Sequence, residues 1–97
     1  MKPISYYHAR RAKKLYALVN AMARVNKAEW TRDFANLANA LATAIEVEAN
    51  ETVMQLVRRM KRKAKAVETE DEMERALLCD VTRFLDAVAK DVKYAEA

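Results

Sequence analysis

The chain contains no glycine, and its single proline is Pro3. These two residues are the ones that most readily end a helix or open a tight turn, so everything after Pro3 lacks the ordinary breakers. The β-branched residues are scattered through long runs of Ala, Leu, Glu, Lys and Arg, which favours helix over sheet. Ninety-seven residues, 53% hydrophobic and 33% charged, suit one folded domain rather than a disordered chain or two domains. The expectation is a single all-α domain over 1–97, a small antiparallel helical bundle.

The stretch 26–50 is the spine of that bundle. Trp30, Phe34, Leu37, Leu41 and Ile45 recur at steps of four and three, which stacks them on one helical face. Ala35, Ala38 and Ala42 are small enough to let neighbouring helices approach closely. A helix over 27–49 is about 35 Å long at 1.5 Å per residue, enough to form one side of a bundle. Asn26 and Glu29 have the spacing of a capping box at its start, and Val25 and Trp30 that of a hydrophobic staple.

Three further helices follow from the same reasoning. Ser5 is placed to cap a first helix over about 5–25, with Ala12, Leu15, Leu18, Val19, Met22, Ala23 and Val25 on one side. The apolar stripe Val53, Leu56, Val57, Met60, Ala64, Val67 is out of step with that of the spine. A break near Asn50–Thr52 is therefore expected, opening a third helix over 52–67. An uninterrupted helix from 27 to 67 would reach about 60 Å, beyond what the other helices could cover. Thr69 with Glu72 forms a second capping box, starting a fourth helix over 70–94 that carries Met73, Leu77, Leu78, Val81, Phe84, Leu85, Val88 and Val92.

Charge is segregated along the chain. Residues 1–28 carry +7 with no acid, 58–65 carry +6, and the remainder carries −9, giving the net +4. Arg10, Lys13 and Lys14 gather on the polar side of the first helix, and Arg11 projects to the edge of its apolar face. Tyr6, Tyr7, His8 and Tyr16 interleave with these cations, a mixture that can stack on bases or anchor a protein interface. Tyr7 and Tyr16 can equally close the end of the core, while Tyr6 points to the basic side. Arg58, Arg59, Lys61, Arg62, Lys63 and Lys65 end the third helix. They read either as a binding patch or as a solvated face that complements the helix dipole. If the first and third helices lie side by side, the two cationic faces merge into one surface suited to phosphate backbones or an acidic protein. The candidate binding residues are thus Tyr6, Tyr7, Arg10, Arg11, Lys13, Lys14, Arg58, Arg59, Arg62 and Lys65.

Catalytic and metal-binding patterns are missing from the sequence. Gly-rich phosphate loops are impossible without glycine. His8 is the one histidine and Cys79 the one cysteine, too few for a recognisable zinc set. By the helical count Cys79 points away from the apolar face of the fourth helix, an exposed thiol rather than half of a catalytic pair. Asn36, Asn39, Thr43, Glu46 and Asn50 form a polar row, read as a solvated face or a hydrogen-bonding strip. A lone cysteine excludes an intrachain disulfide and fits a reducing, cytoplasmic setting. No apolar run is long enough to span a bilayer. The acid-free, Arg-rich start resembles an organellar presequence in charge, but Ser5 is the only Ser or Thr before Thr31 and the stripe is built for a core.

The expected function is therefore non-enzymatic and cofactor-free. An interaction module that binds and modulates another macromolecule is the first reading. Its partner would be a protein, of the nucleic-acid-processing kind, as with accessory and inhibitor proteins of phages and mobile elements. Direct DNA or RNA binding through the first helix and the end of the third is the alternative. Homo-oligomerisation is compatible with long, Ala-rich helices.

Overall fold

The computed structural model describes residues 6–26 and 29–96, with side chains placed for 8–21 and 30–94. Four helices follow one another: α1 (Tyr6–Asn26), α2 (Glu29–Glu46), α3 (Asn50–Ala66) and α4 (Glu72–Glu96). Helix α1 packs on α2, α2 on α3, and α3 on α4. Cross-helix pairs fix their directions. Lys13 in α1 meets Glu46 at the end of α2, Lys63 late in α3 meets Asp33 early in α2, and His8 early in α1 meets Asp91 late in α4. Successive helices therefore run antiparallel, in an all-α bundle measuring 41 × 20 × 17 Å.

The core lies where the apolar periodicity puts it. Phe34, Leu41 and Ile45 of α2, Val53, Val57 and Met60 of α3, and Val81, Leu85, Val88 and Val92 of α4 are all buried. Each large aliphatic or aromatic side chain removed from water in this way contributes about 1.5–3 kcal/mol. Helices α1 and α2 both turn alanines inward, Ala9 and Ala12 from one and Ala35, Ala38 and Ala42 from the other. Such small side chains permit the close α1–α2 packing. Trp30 is half-buried and sets its ring edge-on to Phe34, centroids 5.6 Å apart.

Two residues expected in the core lie outside it. Leu18 is 52% exposed and Met73 is 74% exposed. Leu18 is turned about 100° from the buried Val19, and Met73 sits in the first turn of α4, at the margin of its apolar face. In both helices the stripe is wider than the strip its neighbours cover. Met22, Ala23 and Val25 lie outside the described side chains, as do the Ser5 cap and the Asn26–Glu29 and Val25–Trp30 pairings.

The α2–α3 break occurs at 47–49, a few residues before the expected position. Glu48 takes a positive φ of 57°. The Glu48 amide donates to the Ile45 carbonyl at 3.1 Å and the Ala49 amide to the Ala44 carbonyl at 3.0 Å. These are the two bonds of a Schellman motif, which satisfies carbonyls left over at a helix end. Glycine usually occupies its left-handed position. Here a side chain does so, at a cost of about 1 kcal/mol.

The start of α4 also differs from expectation. Asp71, not Thr69, caps it: Asp71 Oδ1 accepts from the amides of Met73 at 2.9 Å and Glu74 at 3.1 Å. Thr69 accepts the Asp71 amide instead, at 3.1 Å, and donates its hydroxyl to Glu74 Oε2 at 3.2 Å. Glu74 is buried, and its other oxygen accepts the Trp30 indole N–H at 2.7 Å. Both Thr69–Glu72 and Asp71–Glu74 have capping-box spacing. The second places its glutamate beneath Trp30, where the carboxylate ties the α2 and α4 starts together.

Candidate binding faces on α1 and α3

Both cationic segments fold into helices because Lys and Arg are good helix formers and their long stems tolerate exposure. The bundle then treats them differently. Helices α1 and α3 are not a packed pair, since α2 lies against both. The merged surface that would need them side by side is not formed.

On α1 two of the cations are drawn into the fold. Arg11 is half-buried, its guanidinium carbon 5.0 Å from the centre of the Phe84 ring, within cation–π range. Lys13 pairs with Glu46 at 2.5 Å. His8, which interleaves with these cations in the sequence, is 4% exposed. Its Nε2 donates to Asp91 Oδ2, and its ring is tilted against Phe84 with centroids 6.0 Å apart. Phe84 is thus a platform for two α1 side chains. Arg10 and Lys14 are exposed, and Tyr16 is half-buried beside the core. Tyr6 and Tyr7 belong to α1, but their side chains lie outside those described.

On α3 the six cations divide into two sets. Lys61 reaches Asp86 of α4 at 2.5 Å and Lys63 reaches Asp33 of α2 at 3.1 Å. These two lysines lie on opposite flanks of α3 and tie it to both neighbours. Arg58, Arg59, Arg62 and Lys65 are exposed, and among the described residues none of their side chains makes an ion pair or hydrogen bond. At 100° per residue Arg58, Arg62 and Lys65 fall within an arc of about 60° and span about 10 Å of helix axis, with Arg59 beside them. An open surface depression of about 310 Å³, lined by Arg59, Arg62, Lys63 and Ala66, adjoins this stripe. Glu51 shares the face roughly two turns toward the N-terminus, and Glu68 follows beyond its end.

The other singled-out residues have plain surroundings. Cys79 is exposed, as its helical position implies. Asn36, Asn39, Thr43 and Glu46 are exposed; Thr43 donates back to the Asn39 carbonyl at 3.2 Å and Glu46 holds Lys13. These four residues of the row face outward. Asn50 alone turns inward, its Oδ1 buried without a hydrogen-bond partner among the described residues. Among the described residues no three His, Cys, Asp or Glu side chains converge on a point. No described helix is long and apolar enough to cross a membrane. Compared with known proteins, the chain matches no family model, no curated protein and no solved structure.

Proposed function

We propose that this protein is a non-enzymatic interaction module that binds another macromolecule through the outer face of α3 and modulates what that macromolecule does. The carrying observation is the exposed stripe Arg58, Arg59, Arg62 and Lys65, which takes no part in holding the bundle together. Like charges three and four residues apart repel, costing a few tenths of a kcal/mol per pair. The C-terminal dipole of α3 offsets part of that. A fold needing only dipole compensation is served by one or two cations, and Lys61 and Lys63 already neutralise the adjacent carboxylates. The remaining four are suited to an acidic surface supplied by a partner.

A photo-crosslinking side chain at position 55 tests this, because Gln55 is exposed on the same face. The chain and its Arg58→Gln/Arg59→Gln/Arg62→Gln/Lys65→Gln variant are irradiated in extract. Macromolecular adducts that disappear in the quadruple variant support the reading. Adducts that are absent, or equal in the two proteins, overturn it. Glutamine is a good helix former, so the variant should keep the circular dichroism of the parent.

A further inference from the structure

Resting on α3 as the binding face, we infer that its partner is the phosphodiester backbone of a nucleic-acid duplex, gripped without regard to base sequence. Three of the four side chains on the stripe are arginines, whose planar fork donates two parallel hydrogen bonds to one phosphate. Arg58, Arg62 and Lys65 follow one another along a single line, so a backbone running past the helix meets them in turn.

The composition of the face argues against a protein partner. Protein interfaces draw most of their affinity from buried aromatic and aliphatic anchors surrounded by a polar rim. The large apolar side chains exposed among the described residues are Leu18, Val47, Met73 and Tyr94, and none lies on α3. The stripe has a rim's chemistry with no anchor inside it. Phosphate recognition needs no anchor, because its free energy comes from releasing the counterions condensed on the nucleic acid.

The same absence distinguishes duplex from single strand. Proteins that hold single strands stack bases on aromatic side chains, and the stripe offers none. Contacts confined to phosphate position a protein on a duplex and carry no sequence information. The flanking pairs Lys61–Asp86 and Lys63–Asp33 matter as well. They neutralise the carboxylates that would otherwise repel the approaching strand from α2 and α4.

The test is fluorescence anisotropy with labelled duplex DNA, duplex RNA and single-stranded DNA, titrated with the full chain from about 50 to 200 mM salt. Three or four phosphates contacted on duplex DNA should give a log–log salt slope of about −3 to −4. Arg58→Gln and Arg62→Gln should each shallow that slope by about one unit, while Lys90→Gln on α4 leaves it unchanged. Binding confined to one kind of duplex identifies the source of the phosphate. Tighter binding to the single strand, or binding indifferent to the α3 substitutions, overturns the inference. So does an absence of duplex binding at the lowest salt. If crosslinks at position 55 still form and keep their size after nuclease digestion, α3 remains the binding face and its partner is an acidic protein. If the quadruple variant crosslinks like the parent, the reading of α3 itself fails.

Discussion

In α1, Arg11 lies on the Phe84 ring and Lys13 holds Glu46, whereas in α3 Arg58, Arg59, Arg62 and Lys65 face solvent. The two segments look alike in sequence, both dense in Lys and Arg. Their surroundings separate them. The start of α1 lies beside the C-terminal ends of α2 and α4, where Glu46 and Asp91 sit and helix dipoles are negative. Cations placed there find partners within the fold. The outer face of α3 is turned away from α2 and α4, and only its flanking lysines reach their acids. A run of positive charge is thus evidence of binding only after the fold has taken the cations it uses.

The sharpest way to break this contrast is Phe84→Ala. It removes a buried ring that supports both His8 and Arg11, and should destabilise the protein by about 3–5 kcal/mol in denaturant unfolding. A loss below about 1 kcal/mol would mean that α1 is not held through Phe84. Next in size is Arg11→Ala, expected to cost about 1–2 kcal/mol through the lost cation–π contact and stem packing. Its salt slope with nucleic acid should match the parent's.

Lys63→Ala removes a partly exposed ion pair and should cost about 0.2–1 kcal/mol, a loss that shrinks as salt is added. A salt-independent loss would show that packing, not charge, ties α3 to α2. Smallest of all is Arg62→Ala. Stability should stay within about 0.5 kcal/mol of the parent, with a slight gain allowed because repulsion along the stripe is relieved. A loss above 1 kcal/mol would place Arg62 with the structural cations and remove the contrast between the helices.

Much of the fold was legible in the residues. The steps of three and four in α2 marked Phe34, Leu41 and Ile45 as core, and the phase slip after Ile45 marked a break. The position of that break was not legible, because Glu48 terminates α2 from a backbone geometry in which glycine is the usual signal. Burial of His8 and Glu74 also left no local mark. A polar residue near an apolar stripe goes inward only when another helix supplies its partner, here Asp91 for His8 and Trp30 for Glu74. For the candidate site, the sequence identified all four outward cations of α3 but grouped them with α1 residues, of which the fold engages Arg11 and Lys13.

The sequence by itself determined that this chain is all-α, that it has four amphipathic segments, and that it carries its positive charge in two blocks. These properties depend on residues a few positions apart, whose relative directions are fixed by the helix itself. Only the tertiary structure decided which of those charges are held and which remain outward. An ion pair, a stacked guanidinium or a buried carboxylate depends on what a different helix places within about 3–5 Å, and no spacing along one helix records that distance.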